Sequence, residues 1–185
     1  MIVTNSDEYA SKIKKIKAFG YNKNLNERSL PGLYDIDELG WNYRMTNLQA
    51  ALGIAQLERL DSIIKIKIRN GSLYNKYLEG INGITIQPKK TNYARNIYWV
   101  YGILIDPNIG TAENIMKKLN TLRIGTRPFF YPMHKQPVLK KMGLLKNKSL
   151  PISEKLYKQG FYLPSGLKLT PENIEEVSEK LKSLI

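Results

Sequence analysis

The stretch GWNYRMTNLQAALG, residues 40–53, sets polar side chains directly against the start of a helix. Thr46 followed three residues later by Gln49 has the form of a capping box, in which the hydroxyl accepts a first-turn amide and the Gln side chain reaches back to the cap. The pattern predicts that a helix begins directly after this threonine. Asn42 and Arg44 precede that start, so a side-chain amide, a guanidinium and the positive end of a helix dipole come together. This arrangement is suited to holding an anion such as a phosphate.

The helix that follows is expected to be long. Apolar residues track one helical face from Leu48 to Ile64 and continue more weakly to Leu78, which predicts one helix of about eight or nine turns. Such a length is typical of a helix that bridges two domains. Small residues fill its first turns and permit either tight helix packing or close approach of a cofactor, and the sequence leaves both interpretations open. These residues are Ala50, Ala51, Gly53 and Ala55.

The residues before this stretch predict three further segments. Residues 1–5 resemble a short apolar strand, which we interpret as the interior of a sheet entered partway. Residues 7–19 carry apolar side chains at helical spacing and predict an amphipathic helix. Residues 20–40 are rich in Asn, Gly, Pro and charge and predict a long loop.

The residues after position 80 predict short strands and separate helices. Strands are expected over residues 83–87, 98–105 and 124–127, with a short edge strand over 161–163. Helices are expected from the cap Thr111 to about residue 122, over 153–159, and after Thr170, where a proline occupies the first turn. The uneven alternation predicts an α+β small domain within an α/β protein.

Composition excludes several classes of site. The 185 residues include no cysteine and one histidine, His134, so disulfides, thiol catalysis and a metal site built on cysteines or several histidines are excluded. The chain has no run of eighteen apolar residues, and its first residues lack the features of a signal peptide. We therefore expect a cytoplasmic protein with no metal and no membrane partner.

The net charge of +13 raises nucleic acid as a partner. The lysines, however, are scattered in twos and threes, mostly at positions that a helix turns towards water. No nucleic-acid-binding module is recognisable in the sequence. The charge pattern therefore favours a solvated surface, and we expect no nucleic-acid partner.

Four blocks of sequence, in the same order, resemble a known family. They are MIVTN at the start, GWNYRMTNLQAALGIAQLERLD from residue 40, IGTRPFFYPMHKQP from residue 124 and GFYLPSGLKLT from residue 160. Together they resemble the carboxyl-terminal half of the DegT/DnrJ/EryC1/StrS sugar aminotransferases. The block TRPFFYPMH is most similar to the GDP-perosamine synthase-like branch, which aminates 4-keto-6-deoxy nucleotide sugars in polysaccharide biosynthesis.

The resemblance implies the C-terminal part of a type I pyridoxal-phosphate aminotransferase fold. Residues 1–68 are then the end of the large cofactor-binding domain plus the start of an interdomain helix, and residues 69–185 form a small domain with a short, mainly antiparallel sheet. The family holds pyridoxal phosphate as a Schiff base on a lysine shortly before a strand that resembles residues 1–5. None of the 22 lysines of this sequence stands in that motif, so no catalytic residue is assigned.

The implied reaction transfers an amino group from glutamate to the keto carbon of a nucleotide sugar, in a homodimer. Both halves of that reaction need the lysine as acid and base. We therefore expect the chain to be a fragment that is inactive alone. The alternative is a non-catalytic dimerisation or complementing module that pairs with a separate N-terminal half.

The resemblance also implies binding residues. Arg44, with Asn42 beside it, matches the position that gives a residue to the cofactor phosphate of the neighbouring subunit; the alternative for Arg44 is a surface salt bridge with Asp35, Asp37 or Glu38. Substrate-binding candidates, from a segment that borders the sugar-nucleotide entrance, are Arg127, Tyr131 and His134. A guanidinium suits a diphosphate. The histidine also fits a hydrogen-bonded loop residue.

Four other aromatic residues are interpreted mainly as packing residues. Trp41 and Tyr43 flank Asn42, while Tyr98 and Trp99 lie in a predicted strand. The last two would also suit stacking on a nucleobase, but their placement in a strand favours the core.

Overall fold

The structure, a computed structural model, describes residues 2–21, 36, 38–145 and 148–185. It divides into two compact units, Met1–Glu58 and Arg59–Ile185, and each is described by itself. The domain boundary after residue 68 stays a prediction. No helix within the described ranges is long and apolar enough to cross a membrane.

The first unit contains helix α1, Asp7–Ile16. The Oγ atom of Ser6 accepts the amide of Tyr9 at 3.3 Å and caps the helix. Acidic residues in the first turn and lysines in the last complement the helix dipole. The predicted helix over 7–19 is thus confirmed except at its end, because Phe19 and Gly20 have φ values of 65° and 77°, outside the helical region.

The strand predicted at residues 1–5 is wrong for the residues that the structure describes. Residues 2–5 are irregular, and Ile2 and Val3 are 70% and 84% exposed. A strand needs a hydrogen-bonded neighbour, and no described segment pairs with this one. The loop predicted at 20–40 falls mostly outside the described residues.

Helix α2, Asn47–Glu58, begins where the capping box predicts. The amide of Thr46 donates to Oε1 of Gln49 at 2.9 Å, and the amide of Gln49 donates to Oγ1 of Thr46 at 3.3 Å. Both halves of the capping box are therefore formed.

The single long helix is not continuous. Helix α3 spans Leu60–Leu78, and Arg59 before it has φ −99° and ψ −1°, which separates it from α2. The hydroxyl of Ser62 donates to the carbonyl of Arg59 at 2.7 Å. The dihedral angles of Arg59 lie in the bridge region rather than the helical one, so the regular helix is interrupted at this residue.

The second unit is an α+β domain, as predicted. Its elements after α3 are β1 (Ile84–Ile86), β2 (Tyr101–Ile105), α4 (Ala112–Thr121), β3 (Arg127–Pro128), a 3₁₀ turn (Met133–Lys135), α5 (Pro137–Lys141), α6 (Pro151–Gln159), β4 (Gly160–Leu163) and α7 (Pro171–Lys182). The predicted caps Thr111 and Thr170 both accept a first-turn amide. The second forms a complete capping box with Asn173.

The four strands form one antiparallel sheet in the order β1-β2-β4-β3. Strand β4 is therefore central, and the prediction of an edge strand over residues 161–163 is wrong. The burial of Phe161 and Leu163, paired opposite Ile103 and Tyr101, is typical of an interior strand. Three residues are too few for the sequence pattern to distinguish the two positions.

The core of this unit lies between the sheet and its helices. Tyr74 and Leu78 of α3, with Leu119 of α4, are fully buried beside Tyr101 and Phe161 of the sheet. Helix α3 packs against α7. The sheet and helices α3, α4 and α7 therefore share one continuous apolar cluster.

Strand β2 starts three residues later than predicted. Tyr98 has φ 52°, a left-handed conformation that no strand residue adopts. Its ring lies where a Cβ at Gly71 would stand, and its hydroxyl accepts the Asn75 amide at 2.8 Å. The chain therefore bends at Tyr98 and enters the sheet only at Tyr101.

Candidate functional site

In the first unit, the segment that carries Asn42 and Arg44 is held against the end of α1. The amide of Tyr43 donates to the carbonyl of Lys17 at 2.9 Å, and Ala18 and Asn42 form an antiparallel bridge. A Cβ at Gly40 would lie 2.2 Å from the backbone nitrogen of Gly20, so only glycine permits this crossing. The backbone before α2 is thereby fixed, while the side chains of Asn42 and Arg44 stay exposed.

The guanidinium of Arg44 lies 5.3 Å from the centre of the Phe19 ring, a cation–π contact. Among the described residues it makes no ion pair. Glu38, one of its alternative partners, instead pairs with Lys15 at 3.7 Å, and Asp35 and Asp37 lie outside the described residues.

The start of α2 offers further donors for an anion. The capping box occupies the amides of Thr46 and Gln49. The amides of Asn47 and Leu48, also in the first turn, have no acceptor within the part of the chain that the structure describes. Free amides, a helix dipole and an arginine that has no carboxylate partner in the described part of the chain fit a phosphate group.

In the second unit, the segment with the substrate candidates is anchored on the sheet. The ring of Phe129 packs directly on Gly102 and Gly160. A Cβ atom added at Gly102 would lie 2.7 Å from the nearest atom of this ring, and one added at Gly160 would lie 2.4 Å from it. Phe129 also stacks at a tilt on Tyr162, with ring centres 4.8 Å apart. Because these two glycines have no side chain, the Phe129 ring can pack against the sheet. This contact fixes the start of the segment that carries Tyr131 and His134.

Arg127 lies opposite Tyr162 in the β3–β4 ladder and is exposed. It borders a groove of about 280 Å³ with Val100, Pro164 and Ser165. The guanidinium is available to a ligand in this groove, which fits the predicted role of binding a diphosphate.

Tyr131 and His134 line a second cleft, of about 430 Å³, whose walls are mostly aromatic. Tyr131 is 41% exposed and meets Tyr157 edge-on, with ring centres 5.0 Å apart. Tyr162 borders both this cleft and the groove of Arg127. The structure therefore places Tyr131 and His134 in one cleft. Arg127 lies in the neighbouring groove, and Tyr162 borders both.

His134 is 5% exposed, and its Nε2 atom lies 3.0 Å from Oε1 of Glu154. Lys135 donates to Oε2 of the same carboxylate at 2.5 Å. Hydrogen bonds from Lys135 and from His134 lower the pKa of the Glu154 carboxyl from its ordinary 4.5 to about 2. The ionised carboxylate accepts from Nε2, so in the neutral imidazole Nδ1 is the acceptor, and it has no partner among the described residues.

Three residues around the site were not predicted. Glu154 and Tyr162 lie 20 or more residues from the histidine or arginine that they contact. Lys67 donates to the carbonyls of Trp99 and Ser165 at 2.8 and 2.6 Å, and partial burial lowers its pKa. Lys67 thereby fixes one wall of the Arg127 groove, a role without a local sequence signal.

Among the aromatic residues interpreted as packing, only Tyr98 is buried, at 4% exposure. Trp99, Trp41 and Tyr43 are 66%, 40% and 70% exposed. Within the described chain Trp99 and Tyr43 are therefore not core residues, whereas Trp41 is partly covered and meets the Tyr43 ring edge-on, with ring centres 6.4 Å apart.

The model of the DegT/DnrJ/EryC1/StrS aminotransferase family matches residues 1–182. GDP-perosamine synthase of Caulobacter vibrioides is 31% identical over all of this chain and 47% of its own length. The fold matches that of Helicobacter pylori PseC, an aminotransferase of pseudoaminic acid biosynthesis, with a TM-score of 0.84 at 18% identity over 98% of this chain and 47% of that one. It also matches the PLP-form of the Streptococcus pneumoniae protein Spr1654, a putative sugar aminotransferase, with a TM-score of 0.80 at 19% identity over 98% and 44%.

These likenesses confirm the expected fold, the C-terminal part of a sugar aminotransferase with a small, antiparallel-sheet domain. The chain spans slightly less than half the length of each relative named above. Because the family model covers nearly every residue, the chain belongs to the DegT/DnrJ/EryC1/StrS aminotransferase family.

Proposed function

We propose that this chain forms the C-terminal half of a pyridoxal-phosphate-dependent aminotransferase that moves an amino group from glutamate to a 4-keto-6-deoxy nucleotide sugar. The observation that carries the proposal is the family match over residues 1–182, with perosamine synthase among the relatives. The domains would be residues 1–68, belonging to the cofactor domain and the interdomain helix, and residues 69–185.

Arg44 and Asn42 would hold the cofactor through its phosphate. Support comes from the fixed backbone before α2, the free amides of its first turn and the absence of a carboxylate partner for Arg44 among the described residues. Pyridoxal phosphate, when bound, supplies the electron sink for the amino transfer. The contribution of this chain is to bind and orient the phosphate end, not to move the proton.

Arg127, Tyr131 and His134 would bind the nucleotide sugar. Arg127 offers two parallel donors to a diphosphate. His134 lines the cleft that Tyr131 also lines, and its largely buried ring would form part of the wall against the sugar. Glu154 would act as a positioning residue that fixes the histidine tautomer.

The chain alone would be inactive. No lysine in it stands in the family's cofactor-binding motif, and the proton transfers of the reaction need that lysine. General acid–base catalysis at a reacting carbon contributes about 10²- to 10⁴-fold, so its loss removes useful turnover.

Helix α2 favours a partner chain, and this is the observation behind the alternative of a complementing module. Its apolar residues are not confined to one face, and none of its residues is buried. Leu48, Leu52, Ile54 and Leu57 are between 57% and 82% exposed. A helix with such a surface is normally covered. The N-terminal half of the enzyme, or a second subunit of a homodimer, would cover it.

Co-expression with an N-terminal segment that carries the family's lysine tests the function. The assembled protein is expected to convert glutamate to 2-oxoglutarate over many turnovers only when a 4-keto-6-deoxy nucleotide sugar is present to accept the amino group. Without the sugar it should form no more than one equivalent per site, and the chain alone should form none. Formation of an assembled, cofactor-loaded protein that aminates no nucleotide sugar would contradict the proposed substrate class. Assembly without any transamination would favour the non-catalytic module.

A further inference from the structure

The charge of +13 is not explained by the sites above, and part of it is concentrated in one concave surface. A groove of about 440 Å³ lies between α3 and the segment that joins β1 to β2. Four cationic side chains line it, Lys76, Lys89, Lys90 and Arg95, against one carboxylate, Glu79. We call this surface the basic groove; its volume lies in the range of small-molecule sites.

Two of these cations face each other across a short hairpin. Lys90 and Arg95 form an antiparallel bridge, so their side chains project from opposed positions on one side of the pair. The turn between them is tightened by Thr91, whose amide donates to the Ala94 carbonyl at 2.9 Å. Like charges directly opposite destabilise a strand pair. An anion placed between them would reverse that effect.

The other charges of the groove do not neutralise this pair. Lys89 takes Glu79 as its partner at 2.7 Å. Lys76 lies 5.3 Å from the centre of the Tyr77 ring. Lys90 and Arg95 have no carboxylate partner among the described residues, so the groove keeps a surplus of three positive charges, four cations against one anion.

The floor beneath the hairpin is rigid. The buried Asn75 donates to the Tyr98 hydroxyl and accepts from the Tyr101 hydroxyl, both at 2.8 Å. Asn96 accepts the Tyr98 amide at 2.8 Å and donates to the Pro88 carbonyl at 3.2 Å. The strained backbone at Tyr98 is held by these bonds, and such strain collects at binding sites.

We infer that the basic groove binds a phosphorylated small molecule, with a phosphate between Lys90 and Arg95. None of its lining residues belongs to the proposed cofactor or substrate sites. The inference therefore does not depend on the aminotransferase reaction. A ligand there would also stabilise the bend at Tyr98 from which Trp99 projects.

Calorimetric titration of the full chain with inorganic pyrophosphate at physiological ionic strength tests this inference. Saturable binding is expected. The double substitution Lys90→Gln, Arg95→Gln is expected to weaken it at least about 10-fold, because it removes both charge-assisted bonds to the phosphate. The control Lys140→Gln, Lys141→Gln removes the same charge outside the groove and should leave the affinity unchanged. Thermal melting verifies that each variant is folded.

Two further arms distinguish a dedicated phosphate site from other kinds of anion binding. Binding of pyrophosphate must persist in the double variant Arg44→Gln, Arg127→Gln, which lacks the positive charges of the proposed cofactor and substrate sites. Equal competition by sulfate would mean an adventitious ion only and would overturn the inference, as would the absence of saturable binding. Tighter, salt-dependent binding of a single-stranded oligonucleotide would overturn it in favour of nucleic acid.

Discussion

Arg44 is the residue through which this chain would reach the cofactor, and its surroundings make the role testable. Its cation–π contact with Phe19 is exposed and contributes about 0.5–1 kcal/mol. A phosphate would add charge-assisted hydrogen bonds of about 1.5–3 kcal/mol. The residue is therefore expected to matter much more for cofactor affinity than for folding.

We predict that Arg44→Met raises the dissociation constant for pyridoxal phosphate in the assembled enzyme by about 10- to 100-fold, because it removes those bonds. Fluorescence titration with the cofactor measures the change. Arg59→Met removes the same charge from an exposed position and serves as the control. Equal affinities of both variants and the unsubstituted protein would count against phosphate binding by Arg44.

The ionised Glu154 carboxylate is expected to make the stability of the protein depend on pH. Its folded-state pKa of about 2 lies below the ordinary 4.5, so its contribution to stability is complete above pH 4.5 and is lost as pH falls towards 2. Glu154→Gln should therefore lower the free energy of unfolding at about pH 6 and have little effect near pH 2. Urea denaturation at both pH values measures the difference; a difference that does not depend on pH would contradict the paired carboxylate.

At the scale of elements, the two glycines inside the helices make opposite predictions. A Cβ at Gly71 of α3 would stand 2.2 Å from the Tyr98 ring, whereas one at Gly53 of α2 would meet nothing within 4 Å. Gly71→Ala should cost about 1–3 kcal/mol by overpacking. Gly53→Ala should stabilise by about 0.4–1 kcal/mol, since alanine has the better helix propensity. Chemical denaturation of the two variants measures both changes in the free energy of unfolding. Destabilisation by Gly53→Ala would show that another part of the chain covers α2 at Gly53.

The elements also show what the sequence predicts well. Helix starts follow from local chemistry: Thr46, Thr111 and Thr170 each cap the helix expected after them, because the cap and its amide are three residues apart. Strand positions depend on distant partners. The left-handed backbone at Tyr98 and the double pairing of β4 could not be predicted from residues 98–105 or 161–163 alone.

The candidate site residues likewise fall into two groups, those that are neighbours in sequence and those that only the tertiary fold brings together. The placement of Arg44 beside the helix cap before α2 was predictable because the two are neighbours in sequence; that the site binds an anion stays a proposal. The aromatic cleft was predictable only at Tyr131 and His134, since Glu154 and Tyr162 reach it through tertiary folding. The hydrogen bond from Lys67 to the Ser165 carbonyl joins residues 98 positions apart, so no local sequence pattern predicts it.

At the scale of the whole molecule, the exposed apolar surface of α2 makes association the expected behaviour of the isolated chain. Leu52→Glu with Leu57→Glu should shift the chain towards monomer in sedimentation velocity. Ile152→Glu, at an equally exposed position of α6, is the control and should not. A monomeric unsubstituted chain at all concentrations would contradict association through α2.

In the proposed enzyme this chain would complete the cofactor site, and the lysine would lie on another segment. The most direct test is the visible absorbance of lysine-bound cofactor in protein purified after co-expression with an N-terminal segment that carries the family's lysine. We predict absorbance in the co-expressed complex, none in the chain alone, and a loss with Arg44→Met that excess cofactor restores. A stable complex without cofactor absorbance, even with excess pyridoxal phosphate, would contradict the claim.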